Sequence, residues 1–406
     1  MTIKWKKKNF NPDIVLGKID TLKEFDSNGE IFFSKMGYRD SFITLQGMVE
    51  FLGSAKDLNK GLIISEAVRN VAQTGILTSV NVLAEMKTIA AERLKTCDNK
   101  FFFLTSLSVH HSFPIRVVNI ENCRIRLLNG AFPKKFASRD TLIERNYDIK
   151  DETPEYYSQI IVSLKCRSVN EAISKAFKVI DITRSIWCLF NNPTCAYTAI
   201  EWTPINSIRL GKIHTIHHEN GTSADDDFWY EPNFVKKNLC NPKDVKIFRK
   251  NYNWALNKIN KSPYGNVIKE SLVRYVRALD ERDPNVALIK LWGALEELAS
   301  PGQANYDLIT RRVSSLFVES GYHKQILEQL REYRNRNVHS GEETALAKLY
   351  CFQLQSYYST LLFFHVRNAG EFIGLDEANS FLDLPRDKKA LMRKVKLLEK
   401  AVKFIS

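Results

Sequence analysis

The spacing of hydrophobic residues divides the chain into two parts that differ in predicted secondary structure. In residues 1–240, apolar side chains at helical intervals alternate with short runs that favour β-strands. The ranges predicted as strands are 101–109, 115–120, 124–128, 157–166 and 208–216, and the ranges predicted as helices are 82–96 and 169–189. This mixture predicts an α+β domain over residues 1–240.

Residues 241–406 have helical spacing almost throughout. The segments with an apolar stripe at helical intervals are 266–279, 284–299, 306–318, 324–334, 343–367 and 388–404. Pro284 suits a first helical turn, where the amide hydrogen that proline lacks has no partner within the helix. The pattern predicts an all-α helical bundle over 241–406, and Pro232 and Pro242 flank the predicted boundary.

Length and composition agree with two globular domains. The chain has 406 residues, of which 44% are hydrophobic and 26% are charged. A typical domain is roughly 100 to 200 residues long, and these proportions are ordinary for a folded globular chain. They argue against a disordered, collagen-like or disulfide-dense protein.

Cysteine spacing and the longest uncharged stretch predict a cytoplasmic protein without membrane contact. The seven cysteines are scattered, without zinc-knuckle or redox spacing, and no apolar leader follows the lysines near Met1. We therefore expect reduced thiols. The uncharged stretch 349–366 contains glutamines and serines, which favour a buried core helix over a lipid-exposed one.

The charge is unusual for a globular protein of this size. Lys and Arg number 59 against 46 Asp and Glu, which leaves a net charge of +13. Residues 241–406 carry 27 basic and 19 acidic side chains, a surplus of 8, and residues 1–240 carry 32 and 27, a surplus of 5. A basic surplus of this size favours a polyanionic partner, with RNA first among them.

The segment 331–341 combines residue types that suit phosphodiester chemistry. Arg334 offers a planar, permanently charged fork for phosphate oxygens. His339 can take or give a proton at a ribose 2′-hydroxyl or a leaving 5′-oxygen. Asn335 can orient the phosphate or the imidazole. Ser340 and Glu343 have the spacing of a capping box, which predicts a helix junction at His339.

A purely structural interpretation of this segment is open at this point. A surface arginine and a histidine near a helix end are common, because the helix dipole favours a cation there. The arginine–histidine spacing on its own does not decide between this interpretation and catalysis.

The segment from about 285 to 367 resembles the HEPN domain (higher eukaryotes and prokaryotes nucleotide-binding), in particular its Apea-like branch. Residues 291–298, LWGALEEL, look like the early helix of that branch with its tryptophan and acidic pair. Residues 333–341, YRNRNVHSG, match the signature of an arginine, a polar residue, three variable residues and a histidine. An apolar helix follows, as in the family.

The resemblance implies an all-α HEPN bundle with metal-independent endoribonuclease activity and no cofactor. It makes Arg334 and His339 the catalytic pair and Asn335 the polar residue of the signature. Arg336 and Glu296 are auxiliary candidates, Glu296 because it can hold Arg334. It also implies a homodimer whose paired motifs form one cleft, and a role as a toxin or anti-phage effector that cuts tRNA or other RNA.

Two other interpretations stay open. A HEPN domain of this kind can instead be a non-catalytic module that binds RNA or a partner. Alternatively, His214, His217 and His218, followed by the acidic residues 225–227, can be interpreted as the metal site of a hydrolase.

Residues 157–189, a predicted strand that leads into a helix, look like the region that precedes the nuclease in Apea-like proteins. This resemblance implies a sensing or regulatory domain over residues 1–240, with a phage-derived trigger or an antitoxin as its partner.

Overall fold

A mixed α/β architecture occupies the first part of the chain. The computed structural model describes residues 2–6, 9–33, 36–56, 58–95, 98–145, 150–195, 204–302 and 306–405. Up to residue 230 the described strands are β1 Thr2–Trp5, β2 Glu24–Phe25, β3 Ile31–Phe32, β4 Val49–Leu52, β5 Asn99–Leu107, β6 Val117–Ile120, β7 Cys123–Leu127, β8 Ser158–Cys166, β9 Ile213–His218 and β10 Trp229–Tyr230. The helices there are α1 Pro12–Asp20, α2 Met36–Met48, α3 Lys60–Thr74, α4 Ser79–Lys95, α5 Ser138–Glu144 and α6 Val169–Leu189.

Beyond residue 230, the named secondary-structure elements of the described residues are all helices, joined by turns and loops. They are α7 Val245–Lys261, α8 Gly265–Ala278, α9 Pro284–Ala299, α10 Tyr306–Ser314, α11 Ser320–Ser340, α12 Ala347–Arg367, α13 Leu375–Leu382 and α14 Lys388–Ile405. The mixed α/β fold and the helical C-terminal region predicted from the sequence are therefore confirmed at this coarse level.

Spatial proximity divides the chain into two compact units that are not consecutive in sequence. One unit contains 1–103, 163–176 and 216–225, and the other contains 104–162, 177–215 and 226–406. The boundary predicted near residue 240 assumes that each domain is a continuous stretch of the chain. It stays a prediction.

In the first unit, α1 packs against α2 and α3 packs against α4. Its β1 pairs antiparallel with β4, with Thr2 opposite Leu52 and Trp5 opposite Val49. The indole of Trp5 donates a hydrogen bond to the Ser79 carbonyl at 3.0 Å. Trp5 is thereby tied to the start of α4.

Six strands form the main sheet in the order β10-β9-β5-β8-β7-β6. The edge pair β6 and β7 is an antiparallel hairpin whose two turn residues, Glu121 and Asn122, have φ values of 47° and 60°. Two successive positive φ values give the mirror-image turn whose twist matches the twist of the strands. The turn joins the two strands predicted at 115–120 and 124–128. The strand expected at 208–216 lies instead at β9, residues 213–218.

The helical region is organised around α9, which packs against α8 and α12. Asp283 caps α9 by accepting a hydrogen bond from the Asn285 amide, and Pro284 occupies its first turn as predicted. Inward-facing residues of α9 are fully buried, among them Leu291, Trp292 and Leu295. Burying a large apolar side chain contributes about 1.5–3 kcal/mol, so this helix stabilises the bundle strongly.

Stability of the helical region should fall in mild acid because of a buried histidine. His365 on α12 has no exposed surface, its Nδ1 lies 3.2 Å from the Tyr264 hydroxyl, and burial lowers its pKa to about 4. Unfolding restores the ordinary pKa near 6.5, so below that pH the unfolded chain binds a proton that the folded chain does not. We expect a loss of about 2 kcal/mol between pH 7.5 and pH 5.

Urea unfolding at the two pH values measures this loss. His365→Gln removes the titrating group, so its pH dependence should be about 2 kcal/mol smaller than that of the wild type. Equal pH dependence in the two proteins would contradict the assignment.

Candidate active site

The signature arginine and histidine lie on the last two turns of α11. This helix buries Leu327, Leu330 and Tyr333 and ends at Gly341, whose φ of 66° is left-handed. The amide of Gly341 donates to the Asn337 carbonyl at 2.9 Å. Glycine adopts this conformation without the steric penalty of a side chain, so it ends the helix at a defined residue.

Tyr333 fixes these turns against α9. Its ring is buried, and its hydroxyl donates to Oδ1 of Asn285 at 2.5 Å and lies 3.3 Å from the Glu342 carbonyl. One phenol therefore joins α11, the start of α9 and the segment after α11. The neighbouring Arg334 and Asn335 thus project from a helix whose rotation is set by packing.

Glu296 holds Arg334 at the edge of the bundle. The Arg334 side chain is 17% exposed, and its Nη2 lies 3.8 Å from Oε1 of Glu296. The same Oε1 accepts a hydrogen bond from Nε1 of the buried Trp292 at 2.8 Å. Because Trp292 fixes the carboxylate, the carboxylate in turn restricts the guanidinium. The contact expected between Glu296 and Arg334 is present.

Asn335 lies between the two signature residues on the helix surface. Its Oδ1 accepts a hydrogen bond from Nη1 of Arg334 at 3.2 Å. At about 100° per residue, Asn335 and His339 are separated by about 40° around the helix axis, whereas Arg334 and His339 are separated by about 140°. Asn335 therefore shares the face of His339 and contacts Arg334 by hydrogen bonding.

His339 is exposed in the last turn of α11, and among the described residues it has no hydrogen-bond or ion-pair partner. Its imidazole is therefore accessible to a ligand. Arg336 is exposed as well, and its Nε donates to Oε2 of Glu342 at 2.7 Å. The structure thus pairs Arg336 with Glu342 and does not bring it to Arg334.

The prediction of a helix junction at His339 is wrong. Ser340 lies inside α11, and its hydroxyl donates to the Arg336 carbonyl at 2.8 Å, so it caps no following helix. The next helix, α12, begins at Ala347, with Leu346 at its cap position. Glu343 lies in the connection between the helices. Because α11 continues to Ser340 and α12 begins only at Ala347, no helix starts directly after Ser340, so the capping-box spacing has no effect.

The basic surplus of residues 241–406 is concentrated away from the signature. Helix α14 has seven Lys and Arg residues and one acidic residue, a surplus of 6. Around the signature, by contrast, Arg334 and Arg336 each have a carboxylate within 4 Å. The charge expected to favour RNA is therefore carried mostly by the last helix.

The three histidines considered for a metal site differ in their surroundings. His214 is buried, with its Nδ1 2.7 Å from the Thr105 hydroxyl; burial and the nearby Arg277 and Arg139 lower its pKa well below the ordinary value. His217 is also buried, and its Nδ1 lies 3.1 Å from the Gly221 carbonyl. His218 is exposed. Over the described part of the chain, no group of three or more His, Cys, Asp or Glu side chains is placed to hold a metal ion.

Sequence reasoning missed a network of six charged side chains in the larger unit, of which five are buried and Arg277 is 32% exposed. Its members are Arg184, Arg209, Arg277, Asp181, Asp280 and Glu231. Arg184 is fully buried, and its Nη2 lies 2.5 Å from Oδ2 of Asp280. The sequence signal was the presence of Asp181 and Arg184 within the apolar helix predicted at 169–189. The partners were not detectable, because Asp280 lies 96 positions from Arg184.

None of the described helices combines the length and apolar character needed to cross a membrane. Comparisons of the chain with protein-family models, with curated proteins and with solved structures find no match.

Proposed function

We propose that the protein is a metal-independent endoribonuclease of the HEPN type, with Arg334 and His339 as its catalytic pair. The observation that carries the proposal is the arrangement of the signature on one fixed helix. Arg334 is held by Glu296, and His339 is exposed beside Asn335. The rigid arginine suits phosphate binding, and the exposed imidazole suits proton transfer.

The chemistry requires only side chains that the signature supplies. His339 takes the proton from a ribose 2′-hydroxyl, and the 2′-oxygen attacks the adjacent phosphorus. The bond to the 5′-oxygen breaks, and that oxygen receives a proton from an imidazolium. Arg334 stabilises the negative charge on the phosphoryl oxygens during the step. The products are a 2′,3′-cyclic phosphate and a 5′-hydroxyl.

A cleft formed by two copies fits this chemistry better than a single copy does. Within one helix, Arg334 and His339 point about 140° apart and differ by about 7.5 Å along the axis. Simultaneous proton removal and proton donation also call for two imidazoles at one phosphate, whereas each copy supplies one His339. A homodimer with facing α11 helices provides both.

The biological role follows from the same proposal. An RNA-cleaving cleft harms its own cell when it is always active, so residues 1–240 are proposed as the part that restrains or triggers it. A toxin or anti-phage effector acting on tRNA or other cytoplasmic RNA is the role proposed, with a trigger or an antitoxin as its regulator.

Incubating the purified full chain with total RNA in the presence of EDTA tests the activity. We expect cleavage to persist in EDTA and to leave 2′,3′-cyclic phosphate ends, because the proposed chemistry uses histidine and arginine alone. End-group analysis of the fragments reads this out. Cleavage abolished by EDTA would instead favour a metal-dependent hydrolase, and RNA left intact under every inducer tested would argue against the nuclease.

One observation favours a second candidate, a non-catalytic module that binds RNA or a partner. Both arginines of the signature segment face carboxylates, Arg334 at 3.8 Å and Arg336 at 2.7 Å. Such pairing lowers the local positive charge available to a transition state. RNA binding that depends on residues 241–406, with no cleavage under any inducer, would support this candidate.

A further inference from the structure

Helix α14 carries an exposed apolar seam with the spacing of a coiled coil. The seam residues are separated alternately by four and three positions, and they are Leu391, Val395, Leu398, Val402 and Ile405. Leu391 is half-buried, whereas the other four are 41%, 66%, 62% and 82% exposed. No residue of α14 is buried. An exposed apolar seam of this regularity is typical of a surface that binds another molecule and not of a solvent-exposed surface.

We propose that this seam binds the α14 helix of a second copy of the chain in a parallel coiled coil. Val395 and Val402 then occupy the a positions of the heptad, and Leu391, Leu398 and Ile405 occupy the d positions. β-Branched residues at a positions with leucine at d positions favour a parallel pair of helices, because the two side-chain shapes fit the different packing at the a and d positions of such a pair.

Charge complementarity beside the seam specifies the partner and its direction. Lys394 occupies a g position, and Glu399, the one acidic residue of α14, occupies the following e position. In a parallel pair, the residue at a g position of one helix faces the residue at the following e position of the other helix. Lys394 of each copy therefore faces Glu399 of the other copy, which gives two ion pairs. Within its own chain, neither side chain has an ion-pair partner among the described residues. An antiparallel pair would place g against g and lose both contacts.

The remaining charges of α14 point away from such a partner. Lys389, Lys396 and Lys403 fall at b positions, and Arg393 and Lys400 fall at f positions. These positions lie on the outer side of a two-stranded coiled coil, where water screens their repulsion. Lys388, at the first a position, is at the end of the helix and can extend into water.

The same distribution disfavours a membrane surface as the occupant. A helix that lies in a membrane interface has one apolar face and one polar face. In α14, Leu397 and Phe404 lie more than about 90° from the seam, on the side of the basic residues. Glu399 borders the seam, where an anionic membrane would repel it. A second α14 helix satisfies both features.

This inference goes beyond the proposed nuclease and does not depend on it, since association of α14 requires no RNA. An association without RNA cleavage would overturn the proposed function and leave the coiled coil intact. Cleavage without association of α14 would do the reverse.

Engineered cysteines test the contact in the full chain. Leu398 and Leu397 are adjacent and both 66% exposed, but only Leu398 lies on the seam. In a Cys195→Ser background, which removes an exposed native thiol, Leu398→Cys and Leu397→Cys are oxidised mildly at the same concentration. We expect the Leu398→Cys dimer to form at least about tenfold faster, because paired seams raise the effective thiol concentration. Equal rates would overturn the proposal, whether or not the chain associates through another surface.

Charge reversal tests the parallel direction in the Leu398→Cys protein. Lys394→Glu should slow disulfide formation several-fold, because it places two glutamates opposite each other on both sides of the seam. Adding Glu399→Lys should restore the rate by exchanging the two charges. If the second substitution does not restore the rate, the parallel arrangement is overturned. If the chain does not cross-link but binds tightly to acidic vesicles, the partner of the seam is a membrane and not a second copy.

Discussion

Replacing His339 with alanine is expected to lower the rate of RNA cleavage by about 10²- to 10⁴-fold, the range associated with loss of a general acid or base. The imidazole is exposed at the end of α11, and its removal leaves the buried side of the helix untouched. The fold should therefore be unchanged. Single-turnover cleavage of a defined RNA, measured with EDTA present, gives the rate.

A matched control separates this effect from the effect of losing any exposed histidine. His218 is exposed on β9, and the metal-site interpretation of residues 214–227 requires it, whereas the HEPN interpretation does not. We expect His218→Ala to cleave RNA at the wild-type rate. Loss of cleavage in His218→Ala, with full activity in His339→Ala, would reverse the assignment.

Arg334→Ala should lower the same rate by about 10²- to 10³-fold, the cost of removing one group that stabilises charge in a transition state. Arg331 is a close control because it lies on the same helix and is 19% exposed, against 17% for Arg334. It forms ion pairs with Asp307 and Glu328 and lies outside the signature. Arg331→Ala is expected to retain activity, and equal losses in the two variants would indicate general damage to α11.

Asp280→Asn is expected to lower the free energy of unfolding by about 3–5 kcal/mol, as when one member of a buried ion pair is removed. The Asp280 carboxylate contacts Arg184 at 2.5 Å and Arg209 at 3.2 Å, and all three side chains are buried. Without it, two buried guanidinium groups lose their shared countercharge. Because folded domains are stable by only about 5–15 kcal/mol, this loss is a large fraction of the total.

Urea unfolding followed by tryptophan fluorescence measures this loss, because Trp187 and Trp292 are buried in the same unit as Asp280. Glu270→Gln is the control: Glu270 pairs with Lys178 at 2.5 Å, but both side chains are more than a third exposed. Exposed pairs contribute about 0–1 kcal/mol, so this variant should unfold close to the wild type. Similar losses in both variants would contradict a special role for the buried network.

The pH dependence of the difference in unfolding free energy between wild type and Asp280→Asn provides a second test. Burial alone would raise the pKa of Asp280, but Arg184 and Arg209 lower it below the ordinary value. A carboxylate with a lowered pKa in the folded state stabilises the protein above its ordinary pKa and loses that effect as pH falls through the folded value. The difference between wild type and Asp280→Asn should therefore be constant from pH 8 to pH 5 and narrow only in stronger acid.

The sequence predicted α11 well and its end poorly. The spacing of Leu330 and Tyr333 placed Arg334 at the edge of a buried stripe, and the structure has it there, 17% exposed. The predicted helix ended at residue 334, whereas α11 continues to Ser340. Polar residues after Tyr333 removed the apolar signal, but they continue the helix on its exposed side until Gly341 ends it.

The histidines of β9 illustrate the opposite case. In the sequence, His214 lies within the strand predicted at 208–216 and His217 directly follows it, and nothing local indicates that both side chains are buried. Their burial comes from segments distant in the chain: Thr105 lies 109 positions from His214. Local spacing carries no information about which segments will cover a strand.

By itself the sequence determined the properties that depend on neighbours three or four residues apart: the helical nature of residues 241–406, the face on which Arg334 lies and the seam of α14. Tertiary structure alone decided that Trp292 fixes Glu296 against Arg334, that His339 is exposed, and that Asp280 joins Arg184 to Arg209. The reason is physical. Helical periodicity depends on residues in adjacent turns of one helix, whereas these ion pairs and the burial depend on how whole helices pack. Residues far apart in sequence come into contact only when that packing is formed.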